Sequence, residues 1–313
     1  MNFISVNLNG VSDPQKGLWI RNLKRKVRAE FIGIQESHQS GLSELVLRRF
    51  WDSSPMCIDT VDSVGRSGGL VSIWNLDIFL ADQVIKNPKF LSVSGQLLGV
   101  NVKFNVINLH APNDPNCRRS LWSDLTSLIN QFDGAWILLG DFNEVRSEDE
   151  RVNSRFDRGS SEAFNGFISS VGLMEYSMCG GKFTFISGHK DVKLSKLDRF
   201  LVNDQFLSSW PNTLAEVHKR GFSDHCPISL SCLTSDFGPI PFKFFNSWIG
   251  GKKLSDIVVN AINSVSEMVG LGGVGVYKDV ILLNTLKTIK ANIKSWRKQV
   301  SSDRLRDINL LEE

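Results

Sequence analysis

The sequence predicts an α+β fold: two β-sheets packed face to face with helices on their outer faces, a four-layer α/β/β/α sandwich with a C-terminal helical extension. Two observations carry this expectation. Short runs rich in Val, Ile and Phe recur up to about residue 233 and outnumber the long helical patterns, which argues against a simple doubly wound sheet. Beyond that point the strand signals fade and a helical period takes over.

Taken in order, residues 3–8 form a short apolar strand that ends in the turn Asn9-Gly10. Residues 18–27 form an amphipathic helix, and Arg21, Lys24, Arg25, Lys26 and Arg28 read as its solvated face. Residues 31–34 are a second buried strand, followed by strands at 69–74 and 100–109. The glycine-rich turn Arg66-Ser67-Gly68-Gly69 lacks a following Gly-Lys-Ser/Thr and is not a phosphate loop. Helices over 121–132 and 160–171 flank a core strand at 136–139 that runs into Gly140-Asp141. Strands at 183–186, 200–202 and 227–233 complete a domain spanning 1–233. Residues 234–251, with Pro239 and Pro241, read as a linker. In the helical connector 252–313, Leu282, Leu286, Ile289, Ile293, Trp296 and Val300 recur at spacings of four and three as one seam, after a glycine-rich break at 270–275.

A chain of 313 residues is long enough for one large domain and a smaller appendage. Its 42% apolar and 22% charged residues are those of an ordinary globular protein. A net charge of +3 is too small to demand a polyanionic partner and does not oppose one. Five cysteines without a CxxC pair exclude a zinc knuckle and suit a reducing compartment. The first residues lack the basic-then-apolar pattern of a signal peptide, and no run is long enough to cross a bilayer, so the expectation is an intracellular protein off the membrane.

The chemistry sits at strand ends. Asn7 ends the first strand, and Glu36 follows the second in Gln35-Glu36-Ser37. Asp141 and Asn143 follow a third in Gly140-Asp141-Phe142-Asn143. Asp198 lies in Ser195-Lys196-Leu197-Asp198-Arg199, and Ser223-Asp224-His225 precedes the last strand. Each alone reads as a turn, a cap or a solvated loop residue. Together, in packed sheets, they can converge at one edge.

This ordered set resembles the endonuclease/exonuclease/phosphatase superfamily, the exonuclease III and DNase I-like proteins, over residues 2–233. The version it looks most like is the endonuclease of plant LINE-type retrotransposon polyproteins. Asn9 stands where abasic-site nucleases usually carry aspartate, and Ser195 and Arg199 flank the Leu197-Asp198 pair in the plant retroelement manner. Residues 239–248 are similar to the connector that precedes reverse transcriptase there, and no YxDD-type motif follows. The resemblance implies phosphodiester hydrolysis assisted by Mg²⁺, or Mn²⁺ in its place, and a nick in target DNA for integration. It also implies a nuclear site of action, with a reverse transcriptase domain or element RNA as further partners. Glu36 is the implied metal ligand, with Asn7 beside it and Asp224 as a further contact. Asp141 takes a proton from the attacking water or holds it in line, Asn143 fixes that geometry, His225 contacts the scissile phosphate, and Asp198 orients His225 and keeps it charged. His110, in Asn108-Leu109-His110-Ala111-Pro112, stands where the family often has a phosphate-side tyrosine. Asn9, Thr184, Ser195 and Arg199 are the implied substrate contacts. Phe183 and Phe185 read as the core face of an alternating strand, and Arg118, Arg119, Arg155 and Arg158 as loop cations within reach of a phosphate backbone. Two alternatives remain open: a phosphatase or phosphodiesterase of the same fold acting on inositol phosphates or lipids, and a domesticated remnant that binds nucleic acid without cutting.

Overall fold

The computed structural model describes residues 1–65, 68–100, 102–188, 191–232, 252–271 and 278–309. The chain divides into two compact units, Met1–Asp236 and Phe237–Glu313. The first begins with β1 (Asn2–Asn7), α1 (Pro14–Val27), β2 (Phe31–Gln35), α2 (Glu44–Leu47), β3 (Cys57–Val61), β4 (Leu70–Trp74), β5 (Phe79–Asn87), β6 (Phe90–Leu97) and β7 (Lys103–His110). It continues with α3 (Pro115–Gln131), β8 (Ala135–Asp141), β9 (Arg151–Val152), α4 (Arg158–Ser170), β10 (Leu173–Glu175), β11 (Met178–Cys179), β12 (Phe185–Ser187) and β13 (Lys193–Ser195). It ends with β14 (Asp198–Asn203), α5 (Asp204–Ser209), β15 (Thr213–Val217) and β16 (Ile228–Cys232).

Among the described residues, a seven-stranded sheet runs β11-β15-β16-β1-β2-β4-β3 and a six-stranded sheet runs β10-β14-β8-β7-β6-β5, with a small β12-β13-β9 sheet beside them. The large sheets bury Phe3, Phe31 and Trp74 of one against Phe104, Ile137 and Phe200 of the other. On the outer face of the six-stranded sheet, Leu121, Trp122 and Leu125 of α3 and Phe164 and Phe167 of α4 cover Ile107 and Leu138. On the outer face of the seven-stranded sheet, Ile20 and Leu23 of α1 cover Ile4, Ile32 and Ile73. Each such side chain contributes about 2 kcal/mol by leaving water, so the layering follows from two-sided burial of the strands. The four-layer α/β/β/α sandwich is the observed architecture.

Several boundaries differ from the sequence expectation. Helix α1 starts at Pro14 and α3 at Pro115, four and six residues earlier than periodicity alone places them. In both, an aspartate side chain caps the end: Asp13 accepts from the Gln15 N–H and Asp114 from the Cys117 N–H, each followed by proline in the first turn. Strands β3, β5, β6 and β15 and the short β9, β10, β11 and β13 have no counterpart in the sequence expectation. The strand expected at 100–109 begins at Lys103, and the one expected at 183–186 is Phe185–Ser187.

The fold positions the site through register. In β1 the residues facing the other sheet are Phe3, Ser5 and Asn7, and in the parallel β2 their partners are Phe31, Gly33 and Gln35. In the other sheet, β7 and β8 are parallel and bring His110 beside Asp141, while antiparallel β14 brings Asp198 to the other side of Asp141. Along β8 the inward-facing Ala135, Ile137 and Leu139 are apolar before Asp141, β1 and β7 already turn polar at Ser5 and Asn108 before Asn7 and His110, and β14 carries its polar Asp198 first, so these positions lie at the same end of the sandwich. Gly33 lets the sheets meet closely there, because a Cβ on it would overlap Leu139 and press on Asn108. Behind the site, Gln35 Nε2 donates to Asn108 Oδ1 at 2.6 Å, and Asn108 Nδ2 donates to the carbonyl of Val71 at 2.9 Å. This buried polar seam ties the sheets together where the apolar core ends.

In the second unit, α6 (Lys252–Leu271) and α7 (Lys278–Asn309) contact each other. Ala261, Val265 and Ile293 are buried, whereas Leu282 and Leu286 of the expected seam are exposed. The expected linker 234–251 and most of the break at 270–275 lie outside the described residues, as do Arg66 and Ser67 of the glycine-rich turn.

Candidate active site

The centre of the site is Asn7. Its Nδ2 donates to Glu36 Oε1 and to Asp141 Oδ2, both at 3.0 Å, and its Oδ1 accepts from the Asn9 N–H at 3.1 Å. This differs from a plain ligand role, since the amide N–H, rather than the carbonyl, faces the carboxylates and holds them together. Glu36, His38 and Asn9 have φ values of 53°, 54° and 48°, in the left-handed region that few L-residues adopt. Such strain gathers where surroundings over-determine a position, and here it turns the Glu36 side chain back over the strand end.

Glu36 lies between two imidazoles, with His110 Nε2 3.1 Å from Oε1 and His38 Nε2 3.1 Å from Oε2. Burial favours the neutral acid, yet the hydrogen bonds from His110 and Asn7 outweigh it and hold the carboxyl down at about 2. For His110 burial opposes the charged ring, and the Glu36 hydrogen bond with the Asp141 charge raises it above the ordinary histidine value. Asn143 braces this side. Its backbone N–H donates to Asp141 Oδ1 at 2.9 Å, its Nδ2 donates to the Ala111 carbonyl at 2.7 Å, and it lies 3.4 Å from His110 Nε2.

Opposite stands the pair His225–Asp198. His225 Nδ1 and Asp198 Oδ2 are 2.8 Å apart, and His225 Nε2 faces Asp141 Oδ2 at 3.7 Å. Burial works against the imidazolium, but Asp198 and Asp141 outweigh it and push His225 up to about 10. Asp198 is fully buried, which raises its own carboxyl, and the proton they share rests on the ring that two carboxylates favour. Phe185 packs on the imidazole with ring centroids 5.0 Å apart. Ser223 Oγ donates to the Asn7 carbonyl at 2.7 Å and accepts the His225 N–H at 3.1 Å, latching the last loop to the first strand.

The structure thus brings together Asn7, Glu36, His110, Asp141, Asn143, Asp198 and His225. Glu36, His110 and Asp141 each offer an atom within 4.8 Å of the others. Asp224 is outside that close grouping. It is half-buried at the rim, with Oδ1 3.3 Å from Ser223 Oγ. Asn9 is exposed beside it and open to a substrate.

Three expected substrate contacts are corrected. Thr184 is fully buried, and its Oγ1 accepts the N–H groups of Leu197 and Asp198 at 3.0 and 2.9 Å, so it positions Asp198. Ser195 is buried in β13, and its carbonyl accepts the Thr184 N–H. Arg199 is 0% exposed, and its guanidinium binds Glu150, Glu175 and the Lys196 carbonyl, so burial keeps it from a phosphate. Arg118 is likewise buried and paired with Glu144 at 2.7 Å. In the basic helix, Lys24 is not solvated but pairs with Asp52 under the Trp51 ring. The sequence motifs do not include His38 and assign no role to Ser223 or to Phe185 beside His225. The available signal was adjacency: His38 lies two residues past Glu36, and Ser223 two before His225.

The donor set fits a hard divalent cation. Two carboxylates, Glu36 and Asp141, share a small space bounded by Asn7, and oxygen donors of this kind suit magnesium, which needs few protein ligands. Fold and site together define a sandwich protein with acids, amides and histidines grouped at one end, a donor set that suits such a cation. Residues 4–225 match the profile of the Endonuclease/Exonuclease/phosphatase family, and the chain belongs to it. Solved structures agree on the fold. The AP endonuclease LMAP from Leishmania major is 12% identical, with a TM-score of 0.61 over 73% of this chain and 86% of that one. The 3'-5' exonuclease NExo from Neisseria meningitidis is 14% identical, with a TM-score of 0.59 over 74% and 98%. The endonuclease domain of TRAS1, a telomere-specific non-LTR retrotransposon, is 16% identical, with a TM-score of 0.54 over 75% and 99%.

Proposed function

We propose that the protein is a magnesium-dependent DNA endonuclease, with manganese able to replace magnesium, that nicks target DNA for retrotransposon integration. The observation that carries this reading is the convergence of Asn7, Glu36, Asp141 and the His225–Asp198 pair at one end of the sandwich, each within 3.7 Å of the next. The retrotransposon part rests on the plant LINE-like sequence motifs and on the likeness in fold to the TRAS1 endonuclease domain. In this reading DNA is the substrate, residues 252–313 connect to a reverse transcriptase domain, element RNA is a further partner, and the work is done in the nucleus.

When bound, the cation shields the charge that builds on the phosphate oxygens and orders a water near them. Glu36 holds it, and Asn7 keeps Glu36 and Asp141 at a fixed separation. Asp141, aimed by the Asn143 N–H, accepts the proton of the attacking water. His225, charged because Asp198 lies behind it, donates from Nε2 to a phosphate oxygen as negative charge develops there. Asp198 and Thr184 touch no substrate and act by holding His225.

The test is conversion of supercoiled plasmid to the nicked circle, with magnesium and with EDTA. Nicking in magnesium is expected, with a loss of at least about 100-fold in Asp141→Ala and in His225→Ala. Phosphate release from an inositol phosphate without nicking overturns the nuclease reading in favour of a phosphatase. Salt-sensitive DNA binding without cleavage in magnesium or manganese overturns it in favour of a non-cutting nucleic-acid binder.

A further inference from the structure

The segment before His225 carries a feature that the chemistry above does not use. A hollow of about 440 Å³ opens beside Asn9, Lys16, Arg220, Phe222, Ser223 and Asp224, next to the acid–base residues. Phe222 is 46% exposed on its wall. A single exposed apolar side chain is common on protein surfaces and needs no explanation by itself. This one is held in place. Its ring meets the edge of Trp19 from α1, with centroids 6.0 Å apart and planes at 69°. Gly221 lets the loop lie flat on the Trp19 indole, because a Cβ there would stand 2.5 Å from its Cε2. On one side Ser223 is tied to the Asn7 carbonyl, and on the other Arg220 Nη1 donates to the Ile186 carbonyl at 2.9 Å. Lys16 fixes the facing turn by donating to the carbonyls of Leu8, Asn9 and Gly10. The ring is therefore a propped aromatic plate at the edge of the site, three residues from His225, on a rim that also carries the cations Lys16 and Arg220.

We propose that Phe222 is a nucleobase-stacking residue: it receives one base of the cut DNA strand, next to the scissile phosphate and lifted from its neighbour. This rests on the nuclease reading and gives it a substrate preference. A strand whose base leaves the helical stack easily engages the plate, whereas a stiff stacked duplex must first be unstacked. Every base presents a π-face, so the preference is for deformability and not for a particular letter. The two cations add attraction for the flanking phosphates.

The experiment compares two ligands on the full chain in EDTA, where nothing is cut. One is a fluorescein-labelled single-stranded oligodeoxynucleotide. The other is a sugar–phosphate oligomer of the same length with abasic residues throughout. Fluorescence anisotropy should show the base-bearing strand bound on the order of tenfold more tightly than the abasic one. Phe222→Ala should erase that difference by weakening only the base-bearing strand, and Phe222→Tyr should restore it. Phe222→Ala that binds both ligands as the native protein does overturns the proposal, as does equal weakening of both, which is the mark of a merely structural loop. A native chain that binds neither ligand overturns the stacking and the DNA reading together. Base-dependent binding without plasmid nicking leaves stacking in place and removes only the nuclease.

Discussion

At the residue scale, the two most informative neighbours in the chain are Asp198 and Arg199. They are adjacent in sequence and belong to one motif, but a strand sends alternate side chains to opposite faces. Asp198 therefore points into the site, and Arg199 points away under Phe164 of α4, where Glu150 and Glu175 bind it. The motif is legible as a string, whereas its division between chemistry and structure is legible only once the strand phase is known. The role of Asp198 can be measured. Asp198→Asn removes the carboxylate that most favours the imidazolium, so the His225 ring should fall from about 10 toward the ordinary histidine range, followed by its ring-proton NMR shifts. At neutral pH the native ring is charged and the variant ring is partly neutral, and plasmid nicking should drop by at least about 100-fold. A ring that still titrates near its native value in the variant would remove Asp198 from this part.

At the element scale, the polar ends of β1, β2, β7 and β8 and the polar start of β14 were readable because each adjoins a run rich in apolar residues. The strands β5 and β6 were not. β5 is an edge strand with several exposed positions and no clean alternation, and β6 carries Ser92, Ser94 and Gly95 on faces that are nonetheless buried. Their burial comes from neighbours supplied by the rest of the sheet, which a local window cannot contain. The starts of α1 and α3 were present in the sequence as Asp13-Pro14 and Asp114-Pro115, a cap followed by proline, and periodicity alone overlooks such signals. The close approach of the two sheets yields a prediction of its own. Gly33→Ala places a methyl group against Leu139 and Asn108, an overpacking that should cost about 1–3 kcal/mol in urea unfolding. Full native stability in that variant would show that the sheets have room to separate.

At the scale of the whole molecule, the ion-pair cluster beneath the site links segments far apart in the chain. Arg199 and Lys196 from the β13–β14 region join Glu150 before β9 and Glu175 of β10. Burial alone would raise Glu175, but the charges of Arg199 and Lys196 outweigh it and hold its carboxyl at about 2. Its folded value lies below its ordinary 4.5, so its contribution to stability is complete above that value and is lost as pH falls from 4.5 through 2. Acid unfolding should accordingly steepen in this window. Glu175→Gln should flatten the steepening while lowering stability near neutrality, since it leaves Arg199 short of a partner in the interior. An acid limb of the same shape in both proteins would assign the loss to other carboxylates.

The pairing of β16 with β1 has a further consequence during synthesis. The first strand leaves the ribosome more than two hundred residues before the segment that latches onto it through Ser223 and delivers His225. A nascent chain can collapse around much of its sandwich and still lack its acid–base partner. In the proposed nuclease reading, competence to cut therefore comes with closure of the β15–β16 hairpin, and a chain that stops short of it holds Glu36 and Asp141 without His225.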